Sequence, residues 1–327
     1  MKRLLLSAQA RDAHGPALAA ATAGHVLELV TLEQAAADES ITVHAAWISR
    51  DVTGLATKHE LLEPLAGCYR VLRRSPGMAW VHTHSAGADR PIYAELQARG
   101  VAVSTSAGAN AEVVAQTALG AVLALSRRFP QLMAAQARRA WAPLIAGPLP
   151  PDLAGQTAVI VGWGGIAQRL HAWLALLGLH VIVVRHGATA AGPGIETLRY
   201  SELQGVLPRA QWLLLACPLS ENTRRLVDAT ALAALPAGAM LVNVARGEVI
   251  DEAALIAALQ SGRLGGAFLD VFEHEPLPAE SPLWALPNVI ITPHSAGQSA
   301  GNAARVAALF TSNLGRWLRG EPLVNRA

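Results

Sequence analysis

The stretch TAVIVGWGGIAQRLHAWLALLG, residues 157–178, restricts the fold of this chain more than any other. Five β-prone residues run into a glycine-rich turn, and an amphipathic segment with helical spacing follows. Gly162, Gly164 and Ala167 stand at the G-x-G-x-x-G/A positions of that turn. In a strand–turn–helix unit the first glycine permits the tight turn and the second lets backbone approach a pyrophosphate, while the small third residue keeps helix and strand close. The helix N-terminus adds amides and the positive end of its dipole. Glycine spacing alone is a weak signal, but a strand before it and a helix after it make the segment a dinucleotide-binding candidate.

The rest of the chain repeats the same alternation of apolar runs and helical patterns, the mark of parallel βαβ units. Early runs are RLLLSA, ITVHAAWIS, AWVHTHS and VAVSTS, separated by helix-like segments such as KHELLEPLAG and RPIYAELQARG. A long helix is expected from about Ala111 to Arg128, and the Pro- and Gly-rich PLIAGPLPPDLAG reads as a linker. Beyond the glycine turn come HVIVVR, WLLLAC, MLVNVA, GAFLD and NVIIT, then a last helix from roughly Ala300 to Leu318 that returns to the first unit. The expected fold class is α/β, with two Rossmann-like, doubly wound parallel-sheet domains.

Composition narrows the function classes. A chain of 327 residues with 52% apolar content can bury a core of two-domain size. Its net charge is +2 and its Lys and Arg are scattered, so the stripe that nucleic acid needs is missing and no nucleic-acid partner is expected. MKRLLLSA has too short an apolar core for a signal peptide, and no run approaches the ~18 residues of a membrane span. A cytoplasmic protein is expected, with no membrane association. Cys68 and Cys217 are the only cysteines and fit no metal spacing, so neither a disulfide framework nor a metal site is expected.

The strand after the fingerprint decides the cofactor, because an acid about 20 residues on would hold the ribose 2′-hydroxyl. Here VIVV ends in Arg185-His186. A guanidinium at that position suits a 2′-phosphate through bidentate, charge-assisted bonds, so NADP(H) is favoured and NAD(H) stays open. The alternative reading of Arg185 is a solvated strand-end charge.

Three further motifs, NVARGEVID, LDVFEHEP and ITPHSAG, fall near the C-terminal ends of expected strands, where ligands bind open α/β sheets. Arg246 follows MLVNVA and precedes a helix capped by Asp251. Taken singly, Arg246 and Glu275 read as surface charges and His294 as a structural histidine. As a set they supply a fixed cation for a carboxylate, a proton donor that titrates near neutrality and an acid to orient it, which is what carbonyl reduction requires.

With these motifs in this order, the chain resembles the D-isomer-specific 2-hydroxyacid dehydrogenase family, and within it the glyoxylate/hydroxypyruvate reductase-like group. THSAGADR, ANAEVVAQTALG, the glycine turn, CPLSENTRRLVD, NVARGEVIDE, LDVFEHEPLP and TPHSAG carry the likeness over nearly the whole chain. The resemblance implies a substrate-binding domain of residues 1–103 plus 293–327 and a dinucleotide-binding domain of residues 104–292, with the ligands in a cleft between them. It implies hydride transfer between NADP(H) and a small 2-oxo or 2-hydroxy acid, with glyoxylate or hydroxypyruvate favoured. Arg246 would grip the carboxylate, His294 would supply the proton, and Glu275 would bond the other ring nitrogen and favour the imidazolium. Glu275 is chosen over Glu273 because it directly precedes Pro276.

The same likeness assigns cofactor contacts to Gly162, Gly164, Gly165, Ile166, Arg185, His186, Cys217, Pro218, Thr223, Val244 and Asp270, the last on the nicotinamide carboxamide. It assigns substrate contacts to the backbone of Ala86 and Gly87, and makes Trp47 and Arg50 candidates for the substrate-facing loop, with an ordinary core role open for Trp47. Trp141 matches an arm that crosses to a partner active site in related reductases, so a homodimer is expected. Gln116 stands where the family often has Glu. The family also embraces a nucleotide-sensing corepressor, an alternative that the site residues leave open and the lack of an extended disordered tail disfavours, and dehydrogenases for bulkier 2-hydroxy acids. A formate dehydrogenase-like enzyme would carry glutamine at Glu275.

Overall fold

The computed structural model describes residues 1–187 and 189–327. They contain twelve strands: β1 (Lys2–Leu6), β2 (Leu27–Thr31), β3 (Ala45–Ile48), β4 (Trp80–Thr83), β5 (Ala102–Thr105), β6 (Thr157–Val161), β7 (His180–Arg185), β8 (Glu196–Arg199), β9 (Trp212–Leu215), β10 (Ala239–Asn243), β11 (Leu264–Leu269) and β12 (Val289–Ile291). They form two parallel sheets, of order β2-β1-β3-β4-β5 and β12-β11-β10-β9-β6-β7-β8. The chain divides into two compact units, residues 1–110 with 299–327 and residues 111–298. These divisions fall several residues beyond those expected from the sequence. Ser106 N donates to Ser85 O and Asn325 Nδ2 to Ala107 O, which keeps the segment after β5 in the first unit. In the second unit, His294 N donates to Asp270 O.

Strands of a parallel sheet are buried on both faces, so successive residues feed two cores. In the second unit Val159, Val161, Leu213 and Leu215 enter one core, and Ala158, Ile160, Trp212 and Leu214 the other. In the first unit Leu5, Ala46, Ile48 and Val81 lie on one side, and Leu4, Leu6, Trp47 and Trp80 on the other. That second side is closed by the last helix, Asn302–Arg319, through Val306, Phe310, Leu314 and Leu318.

Two strands escape a reading based on apolar runs. β2 (LELVT) and β8 (ETLR) lie at sheet edges, where polar residues are tolerated. KHELLEPLAG is not the expected helix; helix begins only at Leu65, after Pro64, because a proline biases the residue before it away from the helical region. Asp251 caps the helix Glu252–Gln260 as expected, its carboxylate accepting from Ala254 N at 3.0 Å.

Candidate active site

The order of the larger sheet reverses between β6 and β9, the switch point where ligands of doubly wound sheets bind. Gly162 lies there with φ +107°, its amide donating to Val184 O at 2.8 Å. A Cβ on Gly162 would stand 2.6 Å from Ala216 O and 2.8 Å from Cys217 N, so only glycine lets the two strand ends cross. Gly164 has nothing within 4 Å of an ideal Cβ, and the helix Gly165–Leu176 begins with no side-chain cap. Open space before uncapped amides fits a pyrophosphate. A Cβ on Gly165 would stand 3.1 Å from Ala111 Cβ, which explains the second small residue as helix packing, while Ile166 is half-buried and Ala167 is buried.

Arg185 ends β7 half-buried and His186 is exposed beside it, its ring 6.2 Å from that of Tyr200. Past β9, Cys217 is buried and burial pushes its thiol up to about 12, so the side chain is an uncharged core group and the Cys217-Pro218 turn presents backbone. Thr223 departs from the expected cofactor contact. It is 1% exposed, and its hydroxyl donates to Pro218 O at 2.7 Å and accepts from Ser220 N at 2.8 Å, so it folds the loop from within. Val244 is also buried, directly after β10.

Arg246 is half-buried in the turn after β10, with Nη1 donating to Ala245 O at 2.7 Å. The next residue fixes that turn. A Cβ on Gly247 would lie 1.8 Å from Phe272 C and 2.2 Å from Glu273 N, so the arginine turn packs backbone to backbone on the turn that carries Glu275. Glu275 Oε1 accepts from Phe272 N at 3.2 Å and Oε2 meets His294 Nδ1 at 2.8 Å. The His294 side chain is 49% exposed and that of Glu275 13%. Glu273, the rejected alternative, turns its backbone amide to Glu252 Oε2 at 3.0 Å and its carboxylate toward Arg225 at 3.8 Å.

His294 has φ +50°, a left-handed conformation that costs a non-glycine residue energy unless its surroundings impose it. Asp270, at the end of β11, imposes it. Its carbonyl accepts from His294 N at 2.8 Å, and its buried carboxylate accepts from Thr292 Oγ1 at 2.6 Å, Ser295 N at 2.7 Å and Ala296 N at 3.0 Å. Sequence reasoning assigned Asp270 to the nicotinamide and did not anticipate this clamp. The signal was an acid at a strand end 24 residues before the histidine, which no local pattern connects.

The remaining candidates lie outside this group. Trp47 is a core residue: it is 2% exposed, stacked on Phe310 at 4.3 Å, and does not line a substrate loop. Arg50 is exposed after β3, and His84 N after β4 bonds Ile48 O at 2.9 Å, opening the loop that contains Ala86 and Gly87. These four belong to the first unit and the Arg246, Glu275 and His294 group to the second. Trp141 is 96% exposed, and Gln116 reaches Glu112 on its own helix at 3.4 Å.

A family model described as "D-isomer specific 2-hydroxyacid dehydrogenase, NAD binding domain" matches residues 119–296. The chain is 35% identical over 260 residues to glyoxylate/hydroxypyruvate reductase B of Citrobacter koseri, covering 77% of this chain and 78% of that one. It is 34% identical over 253 residues to the (S)-sulfolactate dehydrogenase of Chromohalobacter salexigens, covering 76% and 80%. Among solved structures, a D-isomer specific 2-hydroxyacid dehydrogenase from Xanthobacter autotrophicus in complex with NADPH and MES aligns over 100% of this chain and 97% of that one, at TM-score 0.76 and 30% identity. An NADPH-dependent glyoxylate/hydroxypyruvate reductase from Sinorhizobium meliloti aligns over 100% and 98%, at TM-score 0.78 and 27% identity.

Proposed function

Because the chain belongs to the D-isomer-specific 2-hydroxyacid dehydrogenase family, we propose that it reduces a small 2-oxo acid, glyoxylate or hydroxypyruvate, with NADP(H). The observation that carries this reading is the His294–Glu275 pair, 2.8 Å apart on a loop clamped by Asp270. Glu275 accepts from Nδ1, which fixes the ring and leaves Nε2 to deliver a proton to the carbonyl oxygen. Arg246 holds the substrate carboxylate and polarises the carbonyl. The dihydronicotinamide, when bound, supplies the hydride to C2, and with the proton from His294 the C=O becomes CH–OH. The uncapped helix at Gly164–Gly165 receives the pyrophosphate, and Arg185, where NAD enzymes carry an acid, receives the 2′-phosphate.

The reading extends to assembly. Leu123, Phe129, Met133, Trp141, Ile145 and Leu149 are large apolar side chains, all exposed within one 27-residue stretch of the second unit. Such a concentration supports a homodimer formed through this segment. None of the described helices is long and apolar enough to cross a membrane.

The test is loss of reduced-nicotinamide absorbance with NADPH or NADH and a panel of glyoxylate, hydroxypyruvate, pyruvate and phenylpyruvate. Turnover with NADPH on the two small acids is expected, and the Arg246→Ala variant loses activity through a raised KM, from lost carboxylate binding, and a lowered kcat, from lost polarisation. Cofactor binding without turnover on any acid would refute the reductase reading and favour a nucleotide-sensing binding protein.

A further inference from the structure

β8, the edge strand hidden from sequence reasoning, runs parallel to β7 with Arg199 in register with Arg185. Neighbouring strands lie about 4.8 Å apart and register partners project from the same face. Two guanidinium stems therefore rise side by side at the C-terminal edge of the sheet, the edge at which ligands bind. A polar depression of about 310 Å³ adjoins Arg199 and, two residues past Arg185, Gly187; Thr197, Leu198, Ser201 and Glu202 complete its lining.

Among the described residues neither arginine forms an ion pair; Arg185 Nη1 makes a long bond of 3.4 Å to Thr189 O. The residues that follow the pair also approach each other, with the His186 ring 6.2 Å from that of Tyr200. Of the neighbouring carboxylates, Glu202 caps the turn by accepting from Arg199 N at 2.8 Å. Glu196, at the far end of β8, is held by Arg209 at 2.6 Å. Two adjacent cations without an ion-pair partner repel each other, whereas a phosphate monoester of about −1.5 to −2 charge would satisfy both.

We propose that Arg199 is a second ligand of the adenosine 2′-phosphate, sharing it with Arg185 from the neighbouring strand. The inference rests on the NADP(H) reading above and adds a specificity residue to it. One guanidinium leaves part of the phosphate charge unanswered, and two in register offer paired forks to its three oxygens.

Calorimetric titration of the full-length protein with 2′,5′-ADP and with 5′-AMP tests this without catalysis. The native protein should prefer 2′,5′-ADP. Arg199→Gln should weaken 2′,5′-ADP about tenfold, leave 5′-AMP within about twofold, and be partly restored by Arg199→Lys. An unchanged 2′,5′-ADP affinity in Arg199→Gln, with Arg185→Gln still weakened, would overturn the role of Arg199 and spare the cofactor reading. Equal weakening of both ligands would also overturn it, since the residue would then act on the adenosine. A native protein that binds both ligands equally would overturn the cofactor reading itself, and the proposal with it.

Discussion

Each unit holds a histidine near the C-terminal end of a parallel strand, and the two are given opposite surroundings. His82, in the first unit, is fully buried between Ser104 Oγ at 2.8 Å and Ser106 Oγ at 3.0 Å, against Trp80 and Phe310. Burial drives its pKa down to about 3, with nearby His84 adding to the effect. His294, in the second unit, is half-exposed and meets a carboxylate. A dry site with hydroxyl partners holds a neutral imidazole, whereas the rim histidine is left open to solvent on one side and oriented by a carboxylate on the other. Partners and exposure, and not residue type, separate a packing histidine from the one proposed as proton donor.

Exchanging the two roles is the strongest way to break this comparison. His294→Gln should lower kcat by about 10²–10⁴ with little change in melting temperature. His82→Ala should retain kcat and lose about 2–4 kcal/mol of stability, through a cavity and two hydroxyls deprived of their partner. Steady-state kinetics and thermal melting on both variants decide the matter; a His294 variant with native turnover would sink the assignment.

The arginine turn comes next. Gly247→Ala sets a methyl group on the backbone of Phe272 and Glu273, and should cost more than about 3 kcal/mol because no side chain can yield. Melting alongside the native protein would contradict the packing described. Asp270→Asn removes the charge that anchors Thr292, Ser295 and Ala296, and should cost about 1.5–3 kcal/mol together with a fall in kcat. If stability fell while kcat and its pH profile stayed native, the clamp would have no part in holding His294.

Acid separates the units most gently. His84 is also held down, to about 4, by burial and then by Arg50 and Arg90. Both His82 and His84 are neutral in the fold, but the unfolded chain protonates them below about pH 6.5. Their contribution is complete above that pH and is lost as the pH falls toward 4 and then 3, by about 1.4 kcal/mol per pH unit for each histidine. Denaturant unfolding between pH 7.5 and 4.5 should show this slope in the native protein and a flatter one in His82→Gln. Parallel slopes would argue that another group titrates.

Much of this was legible in the amino acids because it is local. A strand buried on both faces must be an apolar run, so β6, β7, β9 and β10 declare themselves, and glycines forced by close approach mark the turns. Arg246, Glu275 and His294 could be singled out because each follows such a run within a few residues. The edge strands β2 and β8 lacked that signature, and Arg199 was lost with β8.

The sequence by itself determined the α/β class, the glycine turn and the residue types available for hydride and proton chemistry, since all of these are written in short-range pattern. Tertiary structure alone decided what each group touches. It buried Trp47 against Phe310, folded Thr223 into its own loop, locked His294 through Asp270 and set Arg199 beside Arg185. Each of these pairings except that of Thr223 joins residues at least 14 positions apart. Hydrogen-bond register and packing at such separations depend on the whole sheet, and no window of neighbouring residues contains them.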